Sequence, residues 1–209
     1  MKQRQVTRPR GPYRKSAETR AAIIHATIDL LIEEGYYNLS IRKVASRARV
    51  SAGNVQHHFT SKENLISQML DTVINAYLEE FESLIRTADS PREQLRRVVF
   101  QVVEDLGTRE TTVFFPELWS LANHEPDVSK LMHAMYAKYQ AVYHTIIKRI
   151  NPALSETQVE RAGLFFVCTL EGHTMFIGNG KPANHQIHAI ADLSYKSFLR
   201  IIESGNIPL

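Results

Sequence analysis

Residues 40–63 read SIRKVASRARVSAGNVQHHFTSKE. Two short amphipathic helical patterns meet across the turn Arg47-Ala48-Arg49-Val50-Ser51, and a third helix start follows at Thr60. In the first pattern Ile41, Val44, Ala45 and Ala48 form one apolar stripe behind Ser40 as N-cap. The second runs from Ala52 to His58 behind the cap Ser51 and turns polar side chains outward. A helix so short and so polar buries too little to serve as core. It reads as a probe inserted into another molecule, and the basic residues around it point to DNA.

Stepping about 100° per residue from Ala52 puts Val55 and Phe59 on one side of this helix. Gln56, Gly53 and His57 fall on the other side, with Asn54 at its edge. An upstream helix supplies the packing partner, because Ile23, Ala26, Thr27, Leu30 and Leu31 share one face and Gly35 ends the pattern. Three helices with the last one presented outward make a helix-turn-helix. The side-chain chemistry fits major-groove reading. An Asn54 or Gln56 amide can pair with adenine N6 and N7, and Ala52 can touch a thymine methyl. Gly53 lets the backbone come close, while Arg42, Lys43, Ser51 and Lys62 stand at helix starts where phosphates dock. Arg10 and Arg14 are placed to follow the adjacent minor groove.

Charge is distributed accordingly. Residues 1–64 hold 12 Lys and Arg against 5 Asp and Glu, whereas the remainder holds 13 against 17. Six basic residues and no acidic one occupy the first 15 positions. The imbalance assigns nucleic-acid binding to the N-terminal part and a different task to the rest.

From Ile41 to Leu65 the sequence resembles the DNA-binding domain of the TetR family of transcriptional regulators. The likeness is carried by Ile41-x-x-Val44-Ala45, Val50-Ser51-x-Gly53, His58-Phe59, Ser61-Lys62-Glu63 and Leu65. By position, the family's recognition contacts fall on Ser51, Ala52, Asn54, Gln56 and His57, and Lys62 matches a phosphate-binding lysine. There are two departures. Arg49 stands where the family has glycine in the turn, and a left-handed non-glycine there costs on the order of 1 kcal/mol. Gln56 replaces a common tyrosine, which exchanges a phosphate contact for a base contact.

Helical periodicity continues through the rest of the 209 residues, with no period-2 strand. Thr60 and Glu63 read as a capping box opening a helix to about residue 87, and Ser90-Pro91-x-Glu93 as another. Helices are expected over about 112–123, 126–150, 155–177 and 184–203, the fourth-last break being Gly107. The fold class is all-α with about nine helices. Residues 1–15 form a basic arm, 16–64 the helix-turn-helix domain and 65–209 a larger helical effector-binding and dimerisation domain.

Residues 159–177, VERAGLFFVCTLEGHTMFI, are apolar almost all round, so they must be covered on more than one side. With the last helix they are expected to form half of a four-helix dimer interface through Gly163, Leu164, Val167, Gly172 and Leu193. The resemblance implies the same homodimer, which would set two recognition helices on half-sites about 34 Å apart or a multiple. It also implies a small-molecule pocket, expected at Phe114, Glu117, Trp119, His133, Tyr136, Tyr139 and Tyr143. Trp119, Tyr136, Tyr139 and Tyr143 with Glu117 would make a partial aromatic cage for a cation.

Other classes have less support. His185 and His188 lack a third ligand nearby, so no metal is expected, and no cofactor motif is present. Cys168 is expected to be a buried, inert thiol, and a single cysteine fits a reducing cytoplasm. No apolar run reaches the roughly 20 residues of a membrane span, and the basic start lacks the apolar stretch of a secretory signal. The expectation is therefore a cytoplasmic, homodimeric repressor, released from a palindromic double-stranded DNA operator by a small molecule. An all-α enzyme or carrier with an incidental basic end, or an architectural DNA binder without effector, are the alternatives.

Overall fold

The computed structural model describes residues 12–208, with side chains from residue 15 onward. Nine α-helices lie within the described residues: α1 Pro12–Glu34, α2 Ile41–Arg47, α3 Ala52–His58, α4 Lys62–Arg86, α5 Pro91–Asp105, α6 Arg109–Ala122, α7 Pro126–Ile150, α8 Glu156–Ile177 and α9 Ile187–Ser204. Among the described residues there is no strand, and no helix is long and apolar enough to cross a membrane. The chain divides into two compact units, Met1–Leu70 and Asp71–Leu209, and α4 has residues in both.

In the first unit α1 already begins at Pro12, so residues 12–15 of the expected arm are helical. Ile23, Leu30 and Leu31 of α1, Val44 and Ala45 of α2, Val55 of α3 and Phe59 are buried together with Leu65, Ile66 and Met69 from the first turns of α4. Local chemistry sets the helix starts. The Ser40 hydroxyl accepts from Lys43 N at 3.4 Å and the Ser51 hydroxyl from Asn54 N at 3.1 Å. The start of α4 differs from expectation by one residue. Its cap is Ser61, whose hydroxyl accepts from Asn64 N at 3.1 Å, rather than Thr60.

In the second unit α5 packs along α9, and α7 lies between α6 and α8. The core is aliphatic around Leu95, Val98, Val99, Ile146 and Ile147, and aromatic where Phe166 stacks on Phe198 at 4.0 Å between centroids. Ser90 caps α5 through Glu93 N at 3.2 Å, but the Glu93 carboxylate does not close the expected box. It pairs with Arg97 and Arg96 one turn on, because the i+4 guanidinium offers it a charge rather than an amide. At α8 the box is complete, with Ser155 and Gln158 bonding each other's backbone N–H. The short turn after α8 is tied back to α5 by Asn179, whose N–H reaches Leu106 O at 2.8 Å.

Candidate nucleic-acid interface and ligand cavity

The loop between α2 and α3 decides how α3 is presented. Val50 N bonds Ala45 O at 2.9 Å and Arg49 N bonds Ser46 O at 3.2 Å. This is the Schellman pattern, which requires a left-handed residue just past the cap. Arg49 is that residue, with φ 57°, and the only non-glycine with positive φ among the described residues. The turn keeps its geometry without glycine and carries the strain.

That turn delivers α3 with Val55 and Phe59 fully buried. Ser51, Gly53, Asn54, Gln56 and His57 are exposed, and Ala52 is half-buried. Arg42 is exposed as well. His58, beside Phe59, is half-buried, and burial together with the neighbouring charges of His57 and Arg20 pushes it below the usual imidazole value. The two lysines are placed differently from a free phosphate-seeking cation. Lys43 pairs with Glu34 at 2.5 Å, and Lys62 donates to Tyr36 O at 3.2 Å while lying 3.9 Å above the Tyr36 ring. Arg47 pairs with Glu33 in the same way. Arg10 and the Arg14 side chain lie outside the described residues.

The second unit contains a cavity of about 60 Å³ between α4, α5, α6, α7 and α8. Its walls carry Tyr77 and Phe81 from α4, Phe115 from α6, and Tyr136 and Tyr139 from α7. Phe81 and Tyr139 stack at 5.4 Å, and the Tyr77 hydroxyl meets Thr111 Oγ1 at 3.0 Å. Two carboxylates line it, Asp105 at the end of α5 and Glu171 on α8. Burial pushes Glu171 up to about 7, opposed by a hydrogen bond from Tyr136. Burial likewise pushes Asp105 up to about 6, opposed by Gln101 and assisted by Glu80 and Glu104.

Of the expected pocket residues only Tyr136 and Tyr139 line this cavity. Trp119 stands behind Tyr136 and donates its indole N–H to that hydroxyl at 2.7 Å. Tyr143 stands behind Tyr139, hydroxyl to hydroxyl at 3.2 Å. Phe114 is core, Glu117 is half-buried away from the lining, and His133 is exposed on α7. The carboxylates that line this cavity are Glu171 and Asp105, not Glu117. A detectable signal existed for Glu171, since positions 167, 168, 174 and 175 offer it no helical cation.

The expected interface set also separates. Leu164 and Leu193 are 50% and 60% exposed, and a Cβ at Gly172 would meet nothing within 4 Å. Gly163 and Val167 instead face inward. A Cβ on Gly163 would lie 2.5 Å from His144 Cδ2, so this glycine serves the α7–α8 packing within the chain. Cys168 is exposed, contrary to the buried thiol expected. A helix apolar almost all round gives periodicity little to orient, and Cys168 shares the outer stripe with Leu164, Phe165, Met175 and Phe176. His185 and His188 bond separately, to Pro182 O and Glu104.

Residues 23–69 match the family model of bacterial regulatory proteins, tetR family, and residues 91–191 that of the BetI-type transcriptional repressor, C-terminal. The HTH-type transcriptional regulator BetI of Burkholderia thailandensis is 26% identical over 155 residues, 73% of this chain and 78% of that protein. In fold, the chain is similar to a transcriptional regulator of Saccharomonospora viridis crystallised with choline. The two share a TM-score of 0.71 and 20% identity, over 91% of this chain and 98% of that one. It is also similar to the regulator FadR of Bacillus subtilis in complex with stearoyl-CoA, at TM-score 0.68 and 17% identity, over 88% and 98%.

Proposed function

The chain belongs to the tetR family of bacterial regulatory proteins, and from that premise we propose that it acts as a homodimeric repressor on a two-fold symmetric operator. It is a ligand-responsive, DNA-binding transcriptional regulator. The observation that carries the operator reading is the division of α3, with Val55 and Phe59 at 0% exposure behind an outward face of Asn54, Gln56 and His57. A seven-residue helix anchored by two side chains leaves its amides free for base edges.

The dimer reading is supported by the outer stripe of α8, where Leu164, Phe165, Met175 and Phe176 are all exposed, although one edge of Phe165 packs on Phe198. Leu193 of α9 extends the stripe's chemistry. Self-association through one apolar face is isologous, and it would present two copies of α3 in the symmetry of a palindrome.

The effector is read as a small organic cation held in the cavity of the second unit. The two regulators of like fold were crystallised with unlike ligands, choline and stearoyl-CoA, so the ligand class must come from this chain's own cavity. Aromatic walls with Asp105 and Glu171 and no Lys, Arg or His in the lining favour positive charge. Tyr77 and Phe81 of α4 touch the cavity, and the same helix carries Leu65 and Ile66 of the first unit. A ligand that fits one placement of α4 better than another shifts the population of DNA-competent dimers.

Selection from randomised duplexes, read by fluorescence anisotropy, tests this function. A two-fold symmetric sequence is expected, with affinity falling steeply as salt rises. Gln56→Ala should broaden the selected sequence at one position per half-site. Recovery of no preferred sequence would remove the operator reading.

A further inference from the structure

The cavity holds two carboxylates where one would satisfy a simple ammonium. Its lining contains Asp105 and Glu171, no basic side chain, and otherwise aromatic and aliphatic walls with a few hydroxyls. Neither carboxylate is in an ion pair with Lys, Arg or His among the described residues. Asp105 is the last residue of α5, where the carbonyl end of the helix disfavours negative charge, and Glu80 and Glu104 add to the repulsion. Its hydrogen bond comes from Gln101 Nε2, at 2.9 Å to Oδ1. Glu171 projects from α8 and receives the Tyr136 hydroxyl.

We propose that the effector is a short α,ω-diammonium ion, one charged end held by Asp105, the other by Glu171, and the methylene stem lying on Phe81 and Tyr139. The proposal rests on the cationic-effector reading and sharpens it by a charge count. A single cation neutralises one carboxylate and leaves the other protonated or uncompensated in an apolar cavity. A dication lets both ionise. The carboxylates are contributed by different helices, α5 and α8, and Tyr77 of α4 lies within the field of both, which suits a ligand with two ends. The cavity's 60 Å³ is the liquid share of about two water molecules, so only a short stem suits it.

Both carboxyls are held above the usual carboxylate range by burial, so the empty site is partly protonated near pH 6 and a dication must displace those protons. Titration calorimetry of the full chain at pH 6, in two buffers of different ionisation heat, should therefore show proton release on adding 1,4-diaminobutane. The diamine should bind at least about ten-fold more tightly than n-butylamine or choline. Asp105→Asn and Glu171→Gln should each reduce it to the level of n-butylamine, with thermal melts at or above the wild-type midpoint showing that the variants fold.

Equal affinity for choline and the diamine, with Asp105→Asn silent, would overturn the two-ended site and leave a single-cation pocket. Binding of no amine by a chain that still selects an operator would overturn the cationic effector altogether. Loss of operator selection in the wild type is a separate failure, that of the DNA reading.

Discussion

The Trp119 indole N–H donates to the Tyr136 hydroxyl at 2.7 Å, and this fixes which way Tyr136 can give its own proton. A hydroxyl that accepts from one side donates to the other, and the acceptor there is Glu171. Trp119 thus acts on the cavity from behind its wall, as a positioning residue. Trp119→Phe keeps most of the packing and removes the donor. Affinity for an organic-cation effector should fall about three- to ten-fold, with less than about 1.5 kcal/mol lost in stability. Calorimetry paired with a thermal melt separates the two effects, and an unchanged affinity would mean that Tyr136 orients Glu171 unaided.

The same carboxyl makes stability depend on pH. Burial raises Glu171 to about 7, whereas an unfolded glutamate titrates near about 4.3. Between those values the folded chain holds a proton that the unfolded chain has released, so stability falls as pH rises through this window and levels above it. Asp105, raised to about 6, acts in the same direction over a lower range. Beside the Glu80 and Glu104 carboxylates that act on Asp105, the groups around them are phenols: Tyr77, Tyr136, Tyr139 and Tyr143 are all pushed upward by burial and stay neutral here. His173, lowered by burial, works in the opposite sense as pH falls below about 6.5. Glu171→Gln should flatten the decline in melting temperature between pH 5 and pH 7, as a series of melts would record. A cation, which binds the ionised acid, should bind better as pH rises through the same interval.

Arg49 offers a test at the level of one dihedral angle. Its φ of 57° closes α2 in the Schellman pattern, at a cost of roughly 1–2 kcal/mol for a side chain with a Cβ. Arg49→Gly should recover part of that, a gain of about 0.5–1 kcal/mol after the added freedom of the unfolded chain is counted. Denaturant unfolding should show a higher midpoint with an unchanged slope. A lower midpoint would mean that the arginine side chain stabilises the turn by more than the backbone strain costs.

The difference between what could be read early and what could not follows the range of the interactions. Ser40, Ser51, Ser90 and Ser155 are legible as caps because each bonds a backbone N–H three residues away. Thr60 fits the same template, yet the neighbouring Ser61 takes the bond, so even local chemistry leaves a one-residue choice. The faces of α3 follow from period alone, since its polar and apolar residues separate cleanly. In α8 they do not, and the outward position of Cys168 and the inward one of Gly163 depend on α7 packing. The lining of the cavity is only partly legible for a related reason. Glu117 is near the aromatics in sequence, whereas Glu171 comes to Tyr136 only because α8 lies along α7.

The two glycines of α8 give opposite expectations that bear on the dimer. At Gly163 an alanine Cβ would lie 2.5 Å from His144 Cδ2, and either the ring or the helix must move. Gly163→Ala should destabilise the fold by about 1–3 kcal/mol at every protein concentration. At Gly172 nothing stands within 4 Å, and within one chain alanine there should add up to about 1 kcal/mol through helix propensity. Replacing Leu164 and Phe176 on the same outer stripe by glutamate tests that surface directly. Both side chains are exposed, at 50% and 72%, so the chain should still fold. If the stripe is the isologous interface, light scattering should show a monomer, and operator affinity should collapse because two half-sites are no longer bound as one unit. A double variant that remains dimeric would place the interface elsewhere.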